Sequence, residues 1–116
     1  MNQIALNLIV IRVEDLTRSK KFYEILGINF SCEQHGKGEK HLSAVLSGIV
    51  FEIYPRSNNI DTSGVRLGFR VFSVDKVIEK LQRIATVIVS PAKNSEWGRR
   101  AVVLDPDGHK IELVTC

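Results

Sequence analysis

The chain has 116 residues, 44% of them apolar and 25% charged. That is the size and balance of one compact globular domain burying roughly two-thirds of its unfolded surface. A formal net charge of +3 is mild, and no basic run is interleaved with stacking aromatics, so neither nucleic acid nor a membrane is expected as a partner. No apolar stretch approaches the ~20 residues needed to cross a bilayer. The start, Met1–Val13, lacks a secretory pattern because Arg12 and Glu14 follow its short apolar run closely. Cys32 and Cys116 form no metal-spaced pair, and the expectation is a cytoplasmic protein with reduced thiols.

In chain order, Leu6–Val13 reads as a strand. Asp15 or Thr17 then caps a helix whose Phe22, Ile25 and Leu26 fall on one face, with Gly27 placed as its C′ residue. Phe22 and Tyr23 are read as core or helix-packing residues. Strands are expected at 28–34, 41–47 and 49–55, broken by the polar segment Glu33–Lys40 and by Ser47-Gly48. Arg56–Gly64 has linker composition.

Val65–Phe72 begins a second round. Ser73 or Asp75 caps a helix in which Val77, Ile78, Leu81 and Ile84 form an apolar stripe. Strands follow at 85–90, 99–104 and 109–115. Between the last two, Asp105-Pro106-Asp107-Gly108 is a turn whose proline presets φ and whose glycine accepts a positive φ. The order is βαβββ twice, with module one at about 1–55, linker 56–64 and module two at about 65–116. Arg12-Val13 recurs as Arg70-Val71, and Phe51-Glu52-Ile53 as Ile111-Glu112-Leu113.

The segments Val13–Ser19, Phe22-Tyr23 and Leu26-Gly27, with Trp97-Gly98-Arg99, Asp105–Gly108 and Ile111–Leu113, resemble the vicinal oxygen chelate superfamily. That superfamily includes glyoxalase I, extradiol dioxygenases, fosfomycin-modifying enzymes and bleomycin resistance proteins. The resemblance implies an α+β fold in which two tandem βαβββ modules form a cup-shaped mixed sheet. It also implies a homodimer with two equivalent clefts. Metal-dependent members take His or Glu ligands for Zn, Ni, Fe, Mn or Mg from the first and last strands of each module. Here those slots fall on Leu8, Glu52, Arg66 and Glu112. Leucine donates no lone pair and guanidinium is a fixed cation, so the set argues against a family-type metal and no cofactor is expected.

Strand alternation groups Leu8, Val10 and Arg12 with Val50, Glu52 and Tyr54, and Arg66, Gly68 and Arg70 with Lys110, Glu112 and Val114. Leu67, Phe69 and Val71 would face the helices. One cup would then hold Arg12, Glu52, Tyr54, Arg66, Arg70 and Glu112, with Arg66 balanced by both carboxylates. Trp97 would be an aromatic platform at the cleft mouth or an anchor for its loop or a dimer contact. His35, His41 and His109 are expected to be solvated loop residues. The first functional expectation is a metal-independent binder of a small polar or anionic organic molecule. The alternative is a metal-dependent lyase, isomerase or dioxygenase of the glyoxalase I type, with Glu52 and Glu112 as its catalytic carboxylates. A regulatory dimer with a vestigial cleft is a third reading.

Overall fold

A computed structural model of the chain describes residues 3–57 and 59–115, so Cys116 lies outside the described residues. The elements are β1 (Leu8–Val13), α1 (Leu16–Ile25), β2 (Ser31–Glu33), β3 (His41–Leu46) and β4 (Ile49–Pro55), then β5 (Arg66–Arg70), α2 (Val74–Gln82), β6 (Ile88–Ser95), β7 (Gly98–Leu104) and β8 (Lys110–Thr115). They form two mixed four-stranded sheets of matching plan, ordered β1-β4-β3-β2 and β5-β8-β7-β6. In each sheet the module's first strand runs parallel to its last, and the other pairings are antiparallel. This is the α+β, glyoxalase-like arrangement of two tandem βαβββ modules.

Local chemistry sets the helix ends. The Asp15 side chain accepts from the Arg18 N–H, and the Ser73 side chain accepts from the Lys76 N–H. Each satisfies a backbone donor that the first helical turn leaves without a partner. Gly27 follows α1 at φ +109°, and Gly108 closes the Asp-Pro-Asp-Gly turn at φ +92°, both in territory that a Cβ disfavours.

The strand limits differ from expectation most at β6. It starts later than position 85 because Ala85 takes φ +57° in the turn after α2. It then continues through Pro91, which an edge strand tolerates because its N–H side needs no ladder partner. Register shifts between Ile88 and Ser90, and between Ser90 and Lys93, absorb the irregularity. The connection expected between the strands at 85–90 and 99–104 shrinks to a tight turn at Glu96-Trp97.

Alternation along the strands separates a closed face from an open one. Ile11, Val13, Phe51 and Ile53 from the first sheet share one core with Ile111, Leu113, Ala101 and Val103 from the second and with Val71 just past β5. Phe22 and Tyr23 of α1, and Val77, Ile78 and Leu81 of α2, complete it. Tyr23 and Phe51 pack on Phe69 with ring centroids 6.0 and 5.8 Å apart. The two modules therefore meet through their helix-covered sides, and the other face of each sheet is turned away from the core.

Candidate ligand-binding site

The seam between modules is also held by polar groups delivered by the turn. Asp105 is buried, accepting from the backbone N–H groups of Asp107 and His109 at 2.9 Å, from the Tyr23 hydroxyl at 2.6 Å and from His109 Nδ1 at 2.7 Å. Burial alone raises the Asp105 pKa, but the hydrogen bonds from His109 and Tyr23 outweigh it and hold the carboxyl below its ordinary value. Burial first, and then the neighbouring Asp105 charge, push the Tyr23 phenol well up. On its far side, His109 Nε2 lies 2.7 Å from Thr62 Oγ1, which accepts from the Arg12 N–H at 2.9 Å. Hydroxyl, imidazole and carboxylate thus follow one another as in a nucleophilic relay. Yet His109 is 0% exposed and the hydroxyl is tied to the β1 backbone. The arrangement is a clasp joining α1, β1, the linker and the turn.

This overturns the expectation of solvated histidines at two of three positions. His109 is buried because its ring is needed by Asp105 and Thr62. His41 is 1% exposed because it opens β3 and stacks on Tyr54, with centroids 4.2 Å apart and planes 8° from parallel. Only His35, whose side chain is 78% exposed, fits the expectation.

The open face of the first sheet carries a row of side chains across four strands. Arg12 pairs in register with Tyr54, whose ring its guanidinium covers at 4.9 Å. Tyr54 stacks on His41, and His41 pairs in register with Glu33. Arg12 also holds Glu39 at 3.0 Å. The next row places Glu52 opposite Val10 and Ser43, with one carboxylate oxygen 3.4 Å from His41 Nε2. Partial burial and then the Glu52 charge push the Tyr54 phenol up, so it stays a neutral hydroxyl. The far end is apolar, with Leu8, Val50 and Val45 in one row. Leu8, Val10 and Val45 are exposed.

The open face of the second sheet is cationic. Arg66 and Arg70 on β5, Arg100 on β7 and Lys110 on β8 share a side with Glu112. Glu112 is gripped by Arg100 Nε, and Arg66 Nη2 lies 4.0 Å from its other oxygen. Arg66 therefore meets Glu112 but not Glu52, which stands on the other sheet beside His41. Arg100 is a site residue that the sequence reading misses, because its place beside Glu112 follows from the β7–β8 register and not from local spacing. Trp97 projects from the β6–β7 turn and is 67% exposed.

The donor set in the family's metal slots does not fit a metal ion. Leu8 is aliphatic, Arg66 is a cation, and Glu112 is committed to two guanidiniums. No step of chemistry is derived through such an ion.

Fold and slots together define a class. A family model for the Glyoxalase/Bleomycin resistance protein/Dioxygenase superfamily matches residues 5–113, and the chain belongs to that superfamily. No protein of curated function matches the sequence. Among solved structures, TnmS3, an antibiotic binding protein from Streptomyces sp. CB03234, is 27% identical with a TM-score of 0.74, over 99% of this chain and 98% of that one. A glyoxalase/bleomycin resistance protein from the same organism is 27% identical with a TM-score of 0.70, over 95% and 99% of the two chains. A glyoxylase/bleomycin resistance protein/dioxygenase domain from Frankia sp. EAN1pec, at 19% identity, 98% coverage of both chains and a TM-score of 0.75, shares the fold.

Proposed function

We propose that this protein binds a small polar or anionic organic molecule in a cleft built from the open sheet faces of two copies, without a catalytic metal of the family type. The observation that carries the reading is the second sheet's open face, where Arg66, Arg70, Arg100 and Lys110 share a side with the carboxylate of Glu112. Such a face attracts an anion and leaves hydrogen-bond donors for it. The first sheet contributes the complementary half: an apolar floor at Leu8, Val10 and Val45 beside the polar row Arg12-Tyr54-His41. A contiguous exposed apolar strip marks a surface that meets something. An antibiotic binding protein among the similar structures supports a binder.

The competing reading, a metal-dependent lyase, isomerase or dioxygenase using Glu52 and Glu112, keeps one observation in its favour. The two carboxylates occupy matching positions, opposite Val10 and Gly68 on the parallel first strands. Leu8 and Arg66 argue against it. The test is a thermal-shift and calorimetric screen with small organic acids and aromatic antibiotics, on the wild type and an Arg66→Ala/Arg100→Ala variant. A ligand at a hundredfold excess over Kd stabilises by about 2.7 kcal/mol. The wild type should show such a shift with at least one anionic compound, and the variant should lose it. Equal binding by both proteins contradicts the site.

A further inference from the structure

The β2–β3 hairpin carries a cluster around His41 whose donor chemistry the ligand-binding reading does not use. His41 Nδ1 lies 3.1 Å from the Glu39 carbonyl oxygen, which can only accept, so Nδ1 carries the proton. A neutral His41 therefore presents the lone pair of Nε2. That nitrogen stands 3.6 Å from Glu33 Oε1, 3.4 Å from Glu52 Oε2 and 3.4 Å from the Tyr54 hydroxyl. These separations are longer than the usual hydrogen bond of about 2.7–3.2 Å. His35 Nε2 approaches the same Glu33 oxygen at 3.7 Å, and the His35 and His41 ring centroids are 5.3 Å apart.

We propose that Glu33, His35 and His41 form a site for a divalent transition metal of the zinc class, with Glu52 at its margin. Ligand atoms of the three residues all lie within 4.8 Å of one another. Donors bonded to zinc at about 2.0–2.1 Å in a tetrahedron stand about 3.3–3.4 Å apart, so contacts of 3.6 and 3.7 Å need only a small contraction. Neutral imidazoles and a carboxylate are the donor types that zinc takes. The Glu39 carbonyl plays the part usually taken by an outer partner of a metal-bound histidine, fixing its tautomer and ring orientation. Stacking on Tyr54 holds that ring in place. The groups facing His41 Nε2, Glu33, Glu52 and the Tyr54 hydroxyl, are acidic or neutral, which suits a dication. Three protein ligands leave a fourth position open, and the exposed His35 and half-exposed Glu33 give the ion a way in.

None of its three ligands occupies one of the family's metal slots, of which Glu52 alone stands at its margin, and the site does not depend on the proposed function. The test is titration of the metal-free full chain with zinc chloride by calorimetry, and with cobalt chloride by visible absorption, where a low-symmetry site gives intense d–d bands. The wild type should bind one ion per chain. His35→Ala and Glu33→Gln should each weaken zinc about tenfold or more. Both are surface changes, which keeps the test independent of folding. Glu112→Gln, which removes a family-slot carboxylate instead, should leave the zinc affinity within about twofold. No saturable zinc binding by the wild type overturns the site. So does an affinity that survives His35→Ala and Glu33→Gln, or one that falls with Glu112→Gln alone.

Discussion

Glu52 and Glu112 occupy the same place in two copies of one topology, yet they live in different chemistry. Each sits mid-strand beside the parallel first strand of its sheet. Glu52 has His41 and Tyr54 as neighbours, while Glu112 has Arg100 and Arg66. The repeat therefore delivers a carboxylate twice, and the surrounding strands decide what it can do. On the first sheet it joins a neighbourhood rich in metal-ligand types. On the second it tempers a cationic surface and pairs with two of its arginines.

The clasp that both faces share should give the largest effect when broken. Asp105→Ala strands His109 and the Tyr23 hydroxyl in the buried seam, and losing one partner of such a network costs about 3–5 kcal/mol. Urea unfolding should show it, with both open faces losing ligand and metal binding together. A cost under about 1 kcal/mol would mean that the modules do not depend on the clasp.

The same carboxyl predicts a pH dependence. Its folded-state pKa lies below its ordinary value, so its contribution is fully present above the unfolded pKa of about 4. That contribution fades as pH falls through the folded value. Melting temperature should drop below about pH 4, and Asp105→Asn should flatten that part of the profile.

Removing the two carboxylates should then separate the faces. Glu112→Gln leaves Arg100 and Arg66 without their counter-charge and should strengthen binding of a small organic anion severalfold. Glu52→Gln should leave anion affinity nearly unchanged, since Glu52 stands on the other sheet beside His41. Equal responses would remove the distinction between the sheets.

The smallest effect is expected in stability. The Arg100–Glu112 pair is partly open to solvent, so Arg100→Ala should cost about 1 kcal/mol or less. Its ligand affinity should fall much further. A large stability loss without a change in binding would make the pair structural.

The fold was largely legible because its signals are local. Apolar spacing, the Asp15 and Ser73 caps and the Asp-Pro-Asp-Gly turn each act within a few residues, and alternation placed Arg66, Gly68 and Arg70 on one face with Leu67 and Phe69 on the other. What failed was long-range. His41 looked like a hairpin residue because its burial comes from Tyr54 on the neighbouring strand. His109 looked solvated because its partners, Asp105 and Thr62, converge only once the linker folds back onto β1. Glu52 and Arg66 were expected in one cup, but the modules meet through their helix-covered sides, which puts the two residues on different open faces.

That last feature gives the central claim its most direct test. If each chain carries two half-sites, the complete cleft requires a second copy. Sedimentation equilibrium of the full chain at micromolar concentration should report a dimer, and substituting Val45→Asp and Leu8→Asp on the apolar strip should shift it to monomer while the fold persists by circular dichroism. A wild-type protein that stays monomeric across that range would contradict the account.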